Sequence, residues 1–300
     1  MQYCEAKLDR AGVAGLGNRL FPWARCQIYS HLHGSPMLAT RWFNVPIGTL
    51  IRWESDLRTY TNLFTRRNGD IAHWRGALVK MRAKRLAEPQ SLSHPVLHEG
   101  GVSLVVFQGI GQHFQPLIGW NALIRQELLA ITKPRWRELA EAFQGTFIGI
   151  HVRRGDFQRP GSNQDFSKTD NMSTPLAWFV ESLKSIRSHL SGRVPAVITS
   201  DGTPEELSGL LNMENVRLAS TGSAIGDLLV LSRSSLLLAS GSSFSAWAAF
   251  LGQMPTLCHP GQGLARLFQL EGTARQFIGE FDPSDRVSGA AMPKLRGLVG

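Results

Sequence analysis

From Thr146 onward, short apolar runs alternate with helical stretches, and this pattern limits the fold more than any other feature of the chain. The runs cover residues 147–152, 196–200, 236–239 and 256–258. Helical stretches lie between and after them, around 174–190, 203–211, 224–232 and 245–251. Strands that are apolar on both faces and separated by helices predict βαβ units around a buried parallel sheet. One helix start is written out locally. Thr203 can cap, Pro204 suits the first turn, and Glu206 stands three residues after the cap. The first 60 residues are Gly- and aromatic-rich and less regular, and the tail beyond Phe281 is rich in Gly and Pro. The change of pattern predicts a boundary near residue 140. The expected parts are an N-terminal domain over 1–140, a nucleotide-binding α/β domain over 141–285 and a tail over 286–300.

The chain has 300 residues, of which 43% are apolar and 18% charged, so it can bury a large core and is not of disordered composition. Three cysteines exclude a disulfide scaffold, no apolar run is long enough to cross a bilayer, and the start lacks a signal-peptide core. A cytoplasmic protein, at most peripheral to the inner face of a membrane, is the expectation. The net charge of +9 points to an anionic partner. Much of it is concentrated: Arg66, Arg67, Arg75, Lys80, Arg82, Lys84 and Arg85 stand against Asp70 alone, which is +6 of the +9. Ile71, Trp74, Leu78 and Met81 recur at helical spacing here, with most of the basic residues off that face, and Pro89 ends the segment. Residues 71–86 are therefore expected to be a basic helix. It is either a solvated face, a membrane-surface helix that meets anionic lipid, or a binding face for acceptor or nucleic acid. No nucleic-acid module is recognisable, and nucleic acid is not expected as a partner.

Four short segments carry chemistry. In Phe147–Asp156, strand parity puts His151 and Arg153 on one side at the strand's C-terminal end, where open α/β sheets bind ligands. An arginine there can grip a phosphate with two parallel hydrogen bonds. The same residues also describe a surface turn tied by Arg154 and Asp156. In Leu238–Trp247 a strand runs through a Gly/Ser loop into a helix, so Ser242, Ser243 and Ser245 can ring an anion at the helix start, or Ser242 can simply cap it. Asp227 opens the preceding helix, where it suits the dipole or can accept two N–H donors from a guanine edge. Ser200-Asp201-Gly202 follows another strand and can touch a ribose or shape the turn. Near the N-terminus, Ala14-Gly-Leu-Gly-Asn-Arg-Leu-Phe21 places Gly17, Asn18 and Arg19 at a helix start, without dinucleotide-fingerprint spacing. The pairs His31/His33 and His94/His98 lack the further ligands of a metal site, and there is no D-x-D motif.

Together these segments resemble a known family. His151-Val-Arg-Arg-Gly-Asp156 resembles the HxRRxD motif of the GDP-fucose-using fucosyltransferases: the α1,2-, α1,6- and protein O-fucosyltransferases and the nodulation-type enzymes. GLGNRLF resembles the start of the bacterial α1,2 group, from which Ala14 and Arg19 depart. Asp227-Leu-Leu and Ser242-Ser243-Phe244 resemble later donor-site motifs. The resemblance implies a GT-B fold of two Rossmann-like domains facing a cleft, with the acceptor on the N-terminal side. It also implies inverting, metal-independent transfer of fucose from GDP-fucose to a hydroxyl of a glycan or glycolipid, as part of carbohydrate biosynthesis, with no cofactor. Carried over by motif, Arg153 binds the β-phosphate with Arg154 beside it, and His151 contacts the nucleoside. Asp227 reads guanine, Ser242, Ser243 and Phe244 hold the diphosphate, and Gly17 and Asn18 line the sugar side. An inverting enzyme usually needs a carboxylate near the acceptor hydroxyl, for which Asp156 and Asp165 are candidates, with an orienting role towards Arg154 the alternative for Asp156. A transferase for another GDP-sugar, or a non-catalytic GDP-sugar- or glycan-binding relative, is the alternative; the intact HVRRGD favours the enzyme.

Overall fold

The computed structural model describes residues 1–8, 14–43, 60, 62–98, 100–155, 157–161, 165–166, 172–190, 194–219, 221–271 and 277–284. The chain forms two compact units, Met1–Pro134 and Arg135–Gly300. Both are α/β and built on parallel sheets, the plan of a GT-B protein. The expected tail over 286–300 lies outside the described residues.

The N-terminal unit holds β1 (Gln2–Lys7), α1 (Leu16–His33), α2 (His73–Arg82), β2 (Lys84–Ala87), β3 (Ser103–Gln108), a short 3-10 turn and α3 (Asn121–Ile131). Its three strands are parallel in the order β1-β3-β2. Alternation along β1 buries Cys4 and Ala6 towards α1, leaving Glu5 and Lys7 on the other face. From Leu16 to Tyr29 only Asn18 on α1 is exposed, and the helix stops at Gly34, whose left-handed φ of 61° suits a residue without Cβ. Arg25 is buried and satisfied. Its guanidinium takes both carboxylate oxygens of Glu88, at 2.8 and 3.1 Å, and the carbonyls of Gln108, Gly109 and Ile110.

The basic segment differs from its expected form. The helix ends at Arg82, and Lys84–Ala87 is strand β2. Its buried side is Gly76, flanked by half-buried Val79 and Lys80, while Trp74 and Met81 face solvent. The helical period was legible, but the buried position is the small residue: a Cβ on Gly76 would come within 3.3 Å of the Ile71 carbonyl, where the chain enters the helix.

In the C-terminal unit α4 (Pro134–Glu141) leads into β4 (Ile148–Val152), α5 (Leu176–His189), β5 (Ala196–Ser200), α6 (Ser208–Leu211) and β6 (Val216–Leu218). Then follow α7 (Ala224–Leu231), β7 (Leu236–Ala239), α8 (Ser243–Gly252), β8 (Thr256–Cys258), α9 (Leu264–Phe268) and β9 (Ile278–Glu280). The six strands are all parallel in the order β6-β5-β4-β7-β8-β9. Every residue of β4, β7 and β8 is buried, which is why these strands read as continuous apolar runs. Ile148, Ile150, Val152, Ile198, Leu238 and Leu257 pack with Phe179, Leu183 and Ile186 of α5. Thr203 and Glu206 make the reciprocal capping contacts expected of them, at 3.3 and 3.0 Å, although regular helix begins only at Ser208.

Candidate functional site

The order β6-β5-β4-β7-β8-β9 is the doubly wound order in which the chain runs outward one way from its first strand and then returns to run outward the other way. The reversal falls between β4 and β7. At that point the loops after the two strands diverge to opposite faces and leave a crevice at the carboxyl edge. The residues leaving β4 and β7 are His151, Arg153 and Arg154 on one side and Ser240 to Ser245 on the other.

Ser240 ties the two strand ends together. Its Oγ donates to the His151 carbonyl at 2.8 Å and accepts from the Arg153 N–H at 3.0 Å. His151 is buried and its ring lies beside Phe244, centroids 4.9 Å apart at 33°. Its Nδ1 is 2.6 Å from Ser245 Oγ and 3.4 Å from Ser242 Oγ. Burial, and secondarily the Arg153 charge, lowers its pKa to about 3, so the ring is neutral. Ser242 caps α8 by accepting from the Ser245 N–H at 3.2 Å, and its hydroxyl donates to Ser245 Oγ at 3.3 Å. If Ser245 passes its own proton on to the ring, Nδ1 is the acceptor and the ring proton stands on Nε2. Ser243 and Phe244 are half-buried in the first turn of α8.

Asp201, at the end of β5, organises the arginines. One carboxylate oxygen pairs with the Arg153 guanidinium, and the other accepts the Arg154 backbone N–H at 2.7 Å. Ser200 Oγ donates to the Val152 carbonyl at 2.6 Å and fixes the neighbouring strand ends. Arg154 reaches the Thr174 carbonyl at 3.3 Å, and burial lowers its pKa while Glu206 and Asp201 oppose that shift. Gly155 has φ of 23° and sits so close to Asp201 that a Cβ would collide with the carboxylate.

Asp227 lies in the first turn of α7, where Ser223 caps by accepting from Gly226 N–H at 3.0 Å. Its Oδ1 accepts from Thr221 Oγ1 at 2.8 Å and Thr221 N–H at 3.2 Å. Burial raises its pKa to about 6, with the Thr221 bonds opposing the rise.

Of the expected site residues, His151, Arg153, Arg154, Ser242, Ser243 and Phe244 gather at the switch point. Asp227 stands at the helix start on the same edge of the same sheet. Asp156 lies outside the described residues. Gly17 and Asn18 belong to the N-terminal unit, in the first turn of α1, Gly17 buried and Asn18 exposed. Pro22 has no N–H to offer the Asn18 carbonyl four residues back. Sequence reasoning did not identify the clamp of Asp201 on both arginines, nor Ser240 as the strand tie. Ser200-Asp201-Gly202 just past a strand end was the available signal for the first. The N-terminal unit has a separate polar groove of about 690 Å³ on the sheet face away from α1, lined by Glu5, Lys7, Lys80, Arg85, Glu88 and Gln108 among others. Among the described residues no three His, Cys, Asp or Glu side chains gather as a metal site would require.

The family model for glycosyl transferase family 11 matches residues 118–258, a span that contains the whole switch-point crevice. Over this span, a little under half of the chain, the protein resembles glycosyl transferase family 11. Among solved structures, the fucosyltransferase NodZ from Bradyrhizobium aligns with this chain at a TM-score of 0.50 and 15% identity, covering 84% of this chain and 94% of that one. NodZ α-1,6-fucosyltransferase co-crystallized with GDP aligns at 0.50 and 16%, covering 84% and 93%. At these identities the likeness bears on the fold. No curated protein matches the sequence significantly.

Proposed function

We propose that this protein is a glycosyltransferase that moves fucose from GDP-fucose to a hydroxyl of a glycan or glycoconjugate, with inversion at the anomeric carbon and without a metal. The observation that carries this reading is the pair of arginines leaving β4 at the switch point, fixed by Asp201, beside the capped start of α8. The donor bond between the anomeric carbon and the β-phosphate oxygen breaks as the acceptor oxygen bonds to the opposite face, and the hydroxyl proton passes to the departing GDP or to water. Negative charge grows on the departing GDP and must be met by fixed positive groups. In this reading Arg153 and Arg154 meet it, with the α8 N-terminus and the hydroxyls of Ser242 and Ser243 adding dipoles of the same sign. Neutral His151 offers its Nε2–H as a donor to the nucleotide, and Asp227 accepts the two N–H donors of the guanine edge. The acceptor binds on the side of the N-terminal unit, where Gly17 and Asn18 stand at the start of α1. The solved NodZ complex with GDP, a protein of the same fold, supports the choice of nucleotide.

The test is calorimetry with GDP, ADP and UDP, followed by a product assay with GDP-fucose and a glycan array in the presence of EDTA. Selective binding of GDP with fucosyl transfer that survives EDTA is the expected result. Turnover with GDP-mannose but not GDP-fucose would overturn the sugar. Loss of turnover in EDTA, restored by a divalent cation, would overturn metal independence. GDP binding without turnover on any acceptor would favour a non-catalytic relative.

A further inference from the structure

The outward face of α2 combines exposed apolar and basic side chains. Trp74 and Met81 are seven residues apart, hence on one stripe, and are 69% and 77% exposed. They lie opposite the buried Gly76. Arg75 and Arg82 flank the stripe, with the Arg75 guanidinium 5.4 Å from the Trp74 ring centroid. Lys84, exposed at the start of β2, extends the charge past the helix end. Lys80, on the inner side, is already paired with Glu5, whereas among the described residues no carboxylate pairs with Arg75, Arg82 or Lys84.

We propose that this face is a membrane-surface patch that docks on bilayers containing anionic phospholipid. The helix lies in the plane of the surface, with Trp74 at headgroup level and Met81 entering the acyl boundary. Arg75, Arg82 and Lys84 meet the lipid phosphates while their aliphatic stems cover apolar surface. Charge alone would suit any polyanion. The lipid surface is selected by Met81, which has no π-face for a base to stack on but gains from burial in hydrocarbon. The described helices include none long and apolar enough to cross a membrane, so the contact is with the surface.

The experiment is co-sedimentation of the full chain with phosphatidylcholine vesicles, with and without phosphatidylglycerol, at low salt and at about 1 M salt, where the screening length falls to about 3 Å. Binding to the anionic vesicles alone, abolished by salt, is expected. Each cation near an anionic surface contributes about fivefold in affinity, so the triple change Arg75→Gln, Arg82→Gln, Lys84→Gln should weaken binding about a hundredfold. Brominated acyl chains should quench tryptophan emission in the wild type and much less in Trp74→Phe. Unchanged GDP affinity and unfolding midpoint in these variants show that they fold. No binding to anionic vesicles at low salt overturns the proposal, as does full binding by the triple variant, undiminished quenching in Trp74→Phe, or binding of an oligonucleotide without binding of vesicles.

Discussion

The Arg153 guanidinium is paired with the Asp201 carboxylate across the ends of β4 and β5, while the same carboxylate holds the backbone N–H of Arg154 at 2.7 Å. A single acid thus sets the direction of one arginine side chain and the backbone path of the next. An arginine held in this way needs no reorganisation when charge develops on a leaving group. Arg153→Lys keeps the charge but loses the planar fork. It is expected to lower turnover by about 10²–10³ with an unchanged unfolding midpoint. Asp201→Asn retains an acceptor but not the charge, and a smaller loss is expected. Steady-state kinetics on both variants checks this, and near-wild-type turnover in Arg153→Lys would falsify the role.

His151 refuses a proton because it is buried beside a cation, and this has a readable sign. Its folded pKa, about 3, lies below the ordinary 6.5 of the unfolded chain. Above pH 6.5 both states are neutral and the shift contributes nothing. As pH falls from 6.5 towards 3 the unfolded state gains a proton that the folded state does not, so stability drops by about 1.4 kcal/mol per pH unit. His151→Gln should remove this component from the pH dependence of denaturant midpoints. Nitrogen NMR should report a neutral ring protonated at Nε2 in the wild type, and Ser245→Ala should disturb that tautomer. A ring that titrates near pH 6.5 would overturn both expectations.

Much of the C-terminal sheet was legible because its central strands are buried on both faces, and such strands appear as unbroken apolar runs. The edge strands β6 and β9 were not: each is three residues long, with half-buried and exposed positions that carry no clear period. The N-terminal strands were missed for a related reason. β1 alternates Cys4 and Ala6 against Glu5 and Lys7, and β2 is exposed at three of its four residues. In α2 the period was legible but the buried face was not, because the buried position is the small Gly76 and not the apolar stripe. At the site, the groups that leave a strand end in sequence, His151 to Arg154, could be read directly. Asp201 and Ser240 could not, since their work depends on strands that are adjacent in space and 48 and 87 residues away from Arg153 in the chain.

Gly155 tests whether the clamp matters. Its φ of 23° is uncommon for a residue with a side chain, and an added methyl would press on the Asp201 carboxylate. Overpacking of this kind costs about 1–3 kcal/mol. Gly155→Ala is therefore expected to lower the unfolding midpoint by a few degrees and to reduce turnover disproportionately, since the carboxylate that moves is the one that holds both arginines. Thermal unfolding and kcat measured on the same preparation separate the two effects. A variant that loses stability but keeps full turnover would show that the clamp is structural only.

In the proposed reading, Asp227 would link donor recognition to pH. Burial holds its carboxyl near pKa 6, well above the usual 3.8. Only the ionised form accepts both N–H donors of a guanine edge, so GDP affinity should be flat above about pH 7 and fall as pH drops through 6, by up to about tenfold per unit. Stability moves the other way: between pH 3.8 and 6 the folded state holds the proton more tightly, so the contribution of this group is present at acid pH and is lost as pH rises through 6. Hydrogen bonds to a charged acceptor contribute about 1.5–3 kcal/mol each. Asp227→Asn should therefore weaken GDP by roughly 10- to 100-fold, leave ADP and UDP little changed, and remove the pH dependence. Calorimetry from pH 5 to 8 on both proteins checks all three, and GDP affinity that is unaltered in the variant, or that keeps its fall below pH 6, would assign guanine recognition elsewhere.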